Sequence, residues 1–143
     1  MKIFRYRLEH EEAVLSAIKG DPNWDIFTND DTIDNYKKSL IESITYVCYH
    51  NVNFCGYLRA LLDDGFAIYI SELYVVPEWR NRMIGRSLVA QVKMDFDRLS
   101  VYALSDEDAY YEKLGYNKIG SVFEIHSGWE RCQVSIIDKF RRR

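Results

Sequence analysis

The chain has 143 residues, of which 48% are hydrophobic and 15% aromatic, and carries a formal net charge of −3. That length supplies one domain with a real core but not two typical ones, and the composition excludes disorder. The acidic balance argues against a nucleic-acid protein held by general basic charge, and no apolar run approaches the ~20 residues a membrane helix needs.

The N-terminal stretch MKIFRYRLEHEE is charged within its first turns and lacks an apolar signal core, while Cys48, Cys55 and Cys132 form an odd set without metal-type spacing. The expectation is a cytoplasmic protein with free thiols and no metal site. Residues 2–8 (KIFRYRL) alternate enough for a first strand. EEAVLSAIKG follows as a short helix with an acidic first turn and a glycine stop at Gly20.

A loop, DPNWDIFTN, leads to a second helix expected over 31–42, with Ile33, Tyr36, Leu40 and Ile41 on one face and Asp30 or Asp31 as its cap. Between Lys19 and Lys37 there is no basic residue, while Asp21, Asp25, Asp30, Asp31 and Asp34 all fall inside that window. Such a lip concentrates a cationic amine, although helix capping accounts for some of these aspartates equally well. Trp24 and Phe27 either wall a pocket or pin the loop to the core. Trp24, Asp25 and Phe27 are therefore the candidate acceptor contacts.

ITYVCYH (44–50) and FCGYLRALL (54–62) read as a hairpin, with Asp63-Asp64-Gly65 as a second tight turn. Residues 66–76 are an almost unbroken apolar, β-branched and aromatic run that contains Glu72 and closes at Pro77, the pattern of a buried strand. A loop with Arg80, Arg82, Gly85 and Arg86 follows. Leu88, Val92, Phe96 and Leu99 then recur at helical spacing. Strand, basic loop and helix start make a place for an anion, because the first N–H groups of a helix lack internal partners and carry its positive dipole end. The arginines are locally unfavourable against that dipole, which a phosphate-bearing ligand reverses; a solvated turn is the plainer alternative.

LSVYAL (99–104) is a short apolar strand that must run parallel to 66–76, because a whole helix separates them. Ligands in such sheets bind at the carboxyl ends of the strands around the crossover, where the arginine loop lies. SDEDAYYEKLGY follows as a short helix with Ser105 as cap and Gly115 as left-handed stop, and strands at 116–126 and 131–139 close the chain. The expected architecture is one α+β domain over 1–143. Its central sheet is mixed and mostly antiparallel, with about seven strands and about four helices, and 66–76 and 99–104 parallel.

Two segments together resemble the GNAT superfamily of acetyl-CoA-dependent N-acetyltransferases. Val75-Val76-Pro77-Glu78-Trp79-Arg80-Asn81-Arg82-Met83-Ile84-Gly85 is similar to the family's phosphate loop, a strand ending in Val-x-Pro and then Arg/Gln-x-x-Gly-x-Gly/Ala, with Met83 in place of the first glycine. Ala109-Tyr110-Tyr111-Glu112-Lys113-Leu114-Gly115-Tyr116 resembles its late helix, a Tyr two residues before a Lys and then Leu-Gly-Phe. The resemblance implies a GNAT fold whose 66–76 and 99–104 strands splay around the coenzyme, and acetyl transfer to a primary amine of a small molecule or peptide by direct attack in a ternary complex. Backbone N–H groups of Arg82, Met83, Ile84, Gly85, Arg86 and Ser87, with Asn81 and Arg80, would hold the pyrophosphate. The pantetheine arm would run along Leu73, Tyr74 and Val75, with Ser105 across the gap.

In the same reading Tyr111 protonates the leaving thiolate, and Tyr110 faces elsewhere. Glu72 is either the general base or the structural partner of a cation such as Arg59. Oxyanion stabilisation falls to a strand N–H near Leu73 or Tyr74. Met83 restricts the loop where φ > 0 is wanted. A non-catalytic acyl-CoA-binding sensor or partner module is the alternative, and an unrelated mononucleotide-binding domain a third reading. The implied partners are an amine substrate, no nucleic acid, no membrane, and a homodimer if the aromatic closing strands pair between copies.

Overall fold

The computed structural model describes residues 1–127. In chain order it holds β1 (Lys2–Arg5), α1 (Glu11–Ile18), α2 (Asp25–Thr28), α3 (Ile33–Glu42), β2 (Ile44–His50), β3 (Asn53–Asp63), β4 (Ala67–Val75), α4 (Ile84–Asp95), β5 (Ser100–Ala103) and α5 (Asp108–Lys113). The five strands form one sheet in sequence order. β1 to β4 are an antiparallel meander, and β5 returns parallel to β4.

Each face of the sheet buries its own cluster. Ile68 and Ile70 of β4, with Cys48 and Leu58, pack against Ile84, Leu88, Val89 and Val92 of α4. Tyr57 and Tyr74 on the other face pack against Val14 and Ile18 of α1 and Tyr36 and Leu40 of α3. The apolar positions of α4 lie three or four residues apart, which turns one stripe of the helix to the sheet. Cys48 and Cys55 are both buried free thiols in the α4-side cluster.

One irregularity in β4 decides which side chains reach which face. Arg59 pairs with Glu72, but the next residue of β3, Ala60, pairs with Ile70, so Ser71 is an extra residue in β4. The bulge breaks the alternation of sides. Ile68 and Ile70 before it point to α4, and so do Leu73 and Val75 after it, while Glu72 and Tyr74 turn to the α1 and α3 face.

The parallel pairing stops at the same place. β5 pairs only with Ala67 to Ile70, and Leu104 N–H donates to Ile70 O at 2.9 Å as the last rung. β4 continues to Val75, and among the described residues its outer edge there has no strand partner.

Several sequence expectations are corrected. The described residues contain five strands rather than seven. Residues 116–126 find no ladder partner among them, and Ile119, Val122, Phe123 and Ile125 are exposed, so the alternation there earns no burial. The expected strand at 131–139 lies outside the described residues. Five helices replace four, because DIFT forms one helical turn, α2, after a short turn started by Pro22 and capped by Asp21, whose Oδ1 accepts from Asn23 N–H at 3.0 Å. Four residues are too few to show a period. Neither Asp30 nor Asp31 caps α3; its N-cap is Thr32, without a side-chain cap. Asn29 Oδ1 accepts from the N–H groups of Asp31 and Thr32 at 3.0 and 3.1 Å in the turn that leads into it. Ser105 lies two residues before the N-cap of α5, Glu107, and accepts from its N–H at 3.0 Å. Gly115 at φ +89° is the left-handed stop as expected.

Gly56 stands opposite Val75 where β3 crosses the open end of β4. A Cβ there would lie 2.5 Å from Tyr74 O and 3.2 Å from Val75 Cα, both backbone atoms that cannot swing aside. Gly56→Ala is therefore expected to lower unfolding free energy by about 1–3 kcal/mol in urea titration, an overpacking cost, whereas Gly65→Ala meets nothing within 4 Å and is strained only by its φ of +81°.

Candidate active site

The open edge of β4 is one wall of a groove of about 1230 Å³. Ile70 to Val75 form its floor, Arg80, Asn81 and Met83 to Arg86 its basic end, Leu104 to Glu107 with α5 its far wall, and Trp24, Ile26 and Phe27 its near wall. Because Val76 N–H bonds Cys55 O across the β3 ladder, alternation sends the N–H groups of Leu73 and Val75 to the open edge and that of Tyr74 to β3. A strand edge with free donors thus faces the crossover helix.

The basic end is built by backbone strain. Asn81 and Met83 sit at φ +62° and +64°, a left-handed conformation uncommon outside glycine. Met83 therefore holds the shape that a glycine adopts freely, and its side chain, exposed at 58%, stays out of the core. The first internal bond of α4 runs from Ser87 N–H to Met83 O at 3.0 Å, which leaves the N–H groups of Ile84, Gly85 and Arg86 directed out of the helix start. Gly85 is tight as well. A Cβ there would overlap Tyr110 Oη and lie 3.5 Å from Leu73 Cδ2.

Of the residues expected at the coenzyme, Leu73, Tyr74, Val75, Arg80, Asn81, Met83, Ile84, Gly85, Arg86 and Ser105 all line the groove. Arg82 and Ser87 do not: the Arg82 guanidinium lies 4.8 Å from the Trp79 ring centroid, and Ser87 Oγ donates to Met83 O at 2.8 Å. Arg80 Nε donates to Val75 O at 3.0 Å, folding the side chain back over the strand end. Trp24 and Phe27 line the groove, whereas Asp25 is exposed outside it.

Tyr110 and Tyr111 both line the groove, edge to face with centroids 5.2 Å apart. Tyr110, expected to face elsewhere, reaches the start of α4, because α5 is a single short helix lying along the groove with two adjacent positions turned inward. Burial, and then the neighbouring Tyr110 and Asp106, push the Tyr111 hydroxyl up to about 12.

Glu72 is the acidic residue of the floor, 5% exposed, and it is held on every side. Arg59 Nε donates to Oε1 at 2.7 Å and Nη2 to Oε2 at 2.8 Å, while Tyr36 Oη donates to Oε1 at 2.9 Å. Tyr57 Oη lies 2.6 Å from Tyr36 Oη, extending the chain. Burial raises the affinity of both hydroxyls for their protons. The pairing with Arg59 follows from their opposed positions in the β3–β4 ladder; Tyr36 and Tyr57 could have been suspected only as aromatic core positions.

A forked pair this deeply buried is costly to break singly, because removing one partner strands the other charge. Arg59→Met alone is expected to lower unfolding free energy by about 3–5 kcal/mol, and Arg59→Met combined with Glu72→Leu by much less than the sum of the single changes. Chemical denaturation of the four proteins of that cycle measures it, and additive losses would mean that the pair carries no coupling.

No curated relative matches the chain. Solved structures do. A GNAT-family acetyltransferase from Streptococcus pneumoniae is 18% identical over 88% of this chain and 98% of its own, with a TM-score of 0.68. An aminoglycoside N-acetyltransferase solved with CoA is 13% identical over 89% and 94%, with a TM-score of 0.69. An aminoglycoside acetyltransferase from an uncultured soil sample is 19% identical over 90% and 100%, with a TM-score of 0.65. At such identities the likeness is one of fold, and the family is shown by the sequence itself. Residues 42–118, from the end of α3 to just past α5, match the acetyltransferase (GNAT) domain model, and the chain belongs to the GNAT acetyltransferase family.

Proposed function

We propose that this chain is an N-acetyltransferase that moves acetyl from acetyl-CoA to a primary amine by direct attack in a ternary complex. The observation that carries the reading is the parting of β4 from β5 after Ile70, which opens a strand edge directly onto the start of α4.

The residues suit such a ligand. Outward N–H groups of Ile84, Gly85 and Arg86 and the positive end of α4 match a pyrophosphate, and Arg86 adds charge. The free N–H groups of Leu73 and Val75 match the amide carbonyls of a pantetheine arm, as a strand edge binds any extended chain. Bound there, acetyl-CoA supplies an activated thioester carbonyl.

The protein then has three tasks. It must present a neutral amine, although a lysine-like amine has a pKa near 10.4 and is mostly protonated at pH 7. It must stabilise the charge that develops on the acetyl oxygen, a task for a strand N–H, which the ladder narrows to Leu73 rather than Tyr74. It must also protonate the leaving sulfur. As the C–N bond forms and the C–S bond breaks, sulfur leaves with the electron pair and takes the Tyr111 proton, while the nitrogen sheds one proton to solvent and the Tyr111 phenolate regains one from it. Tyr111 keeps its proton across the neutral range and so enters each cycle as an acid. Glu72, with both oxygens held by Arg59 and Oε1 also by Tyr36, supports the floor of the site and takes no proton from the amine.

Thermal shift with acetyl-CoA, CoA and ATP, followed by thiol release with a panel of amines, tests the whole. Stabilisation by both coenzyme forms and not by ATP is expected, and none with either coenzyme would sink the proposal. A shift without turnover on any amine would favour a non-catalytic coenzyme-binding module. Tyr111→Phe is expected to lower kcat by about 10²–10⁴ while keeping the coenzyme shift. For the parent enzyme, kcat should hold through pH 10, because the Tyr111 proton is lost only near 12. Unchanged turnover in Tyr111→Phe removes that residue from the chemistry.

A further inference from the structure

We propose that the acceptor is an arylalkyl monoamine, a single ammonium on a flat apolar body, rather than a polycation. The inference rests on the amine-acetylating reading above. It is carried by the near wall of the groove.

That wall is aromatic and continuous. The Trp24 ring meets Tyr74 edge to face at 5.1 Å and Phe27 at 5.8 Å, and Phe27 stacks on Tyr36 at 4.6 Å, one residue from Glu72. Ile26 adds an apolar side chain that is 65% exposed and lines the groove without core contacts. Trp24 and Phe27 are half-buried and pack on the Tyr36, Tyr57 and Tyr74 core cluster, so the wall is held in place and offers the groove only its outer, apolar side to a flat group. Their π faces also attract one cation once water is excluded.

This wall carries one carboxylate, that of Asp21, which is too few for a polycation. Asp25, Asp30, Asp31 and Asp34, the greater part of the acidic window, are exposed and do not line the groove. Asp21 lines it, but its carboxylate accepts from Asn23 N–H. Glu72 is neutralised in place by Arg59. Asp106 and Glu107 stand at the α5 end, beside Tyr111 and Tyr110. On the near wall a polyamine or aminoglycoside would therefore bring several ammonium groups to the single carboxylate of Asp21, with Asp106 and Glu107 at the opposite, α5 side of the groove. Desolvating them without partners is costly, whereas a monoamine presents one. The same apolar surroundings lower the pKa of that one ammonium, which favours the neutral nucleophile.

Thiol release from acetyl-CoA is measured with 2-phenylethylamine, tyramine, n-butylamine, spermidine and kanamycin, alongside the coenzyme thermal shift. Phenylethylamine or tyramine is expected to exceed the other three in kcat/KM by at least about tenfold, the value of burying one ring. Ile26→Asp changes an exposed side chain and should fold, as an unaltered coenzyme shift will verify. It is expected to lower the arylalkylamine-to-spermidine ratio by about tenfold, since a carboxylate then faces the bound amine. Turnover of spermidine or kanamycin at the level of the arylalkylamines or above overturns the substrate class and leaves amine acetylation standing. Equal use of butylamine, or an Ile26→Asp ratio like that of the parent, overturns the role of the aromatic wall. Coenzyme binding without thiol release to any amine overturns both this inference and the reading on which it rests.

Discussion

A strand in the middle of a sheet has its backbone groups paired on both edges; β4 has both edges paired for only half its length. Up to Ile70 it lies between β3 and β5, and from Ser71 onward, among the described residues, it keeps β3 alone. Unpaired strand edges are normally covered, because their N–H and C=O groups demand partners. Here the demand is directed into a groove. The extra residue, Ser71, sits at the point of parting and turns Glu72 and Tyr74 to one face while Leu73 stays on the other. One inserted residue thus sets which side chains border the open edge.

The rest of the site depends on that geometry being rigid. Tyr36, Tyr57, Arg59 and Glu72 form one buried polar chain under the groove, with Arg59 also donating to Ser43 Oγ at 3.1 Å. Such a network is stabilising when each member is satisfied and damaging when one is lost. It ties α3 to β3 and β4 immediately behind the aromatic wall. At the other end, the two left-handed residues Asn81 and Met83 let the chain turn from strand to helix in few residues. Strain of this kind persists where the surroundings hold it, and it clusters near binding sites. Packing of Tyr110 against Gly85 links α5 to the same turn.

What the sequence made legible was whatever repeats or punctuates. The apolar run 66–76, the stripe of α4, the hairpin turns and Gly115 each carry a period or a backbone requirement that one residue type betrays. The order strand, arginine loop, helix placed the groove's basic end. The Ser71 bulge left no trace, because a bulge changes register without changing composition. Tyr36 and Tyr57 read as core residues since a hydroxyl's partner is set by tertiary packing. The aspartates before α3 suggest a cap by composition, yet the N-cap is Thr32 and makes no side-chain cap bond. α2 is too short to show a period, and the alternation over 116–126 predicts a strand for which the described residues supply no ladder partner.

The central claim is that coenzyme A lies along the open edge of β4 with its phosphates at the start of α4. Backbone hydrogen exchange, followed by mass spectrometry with and without CoA, examines it directly. The account predicts slowed exchange confined to peptides covering 71–75 and 82–87, with little change in β1 and β2. Protection centred instead on the smaller cavity of about 370 Å³ bordered by Ser39, Ser43, Leu61 and Leu62 would contradict it, as would no protection at saturating CoA.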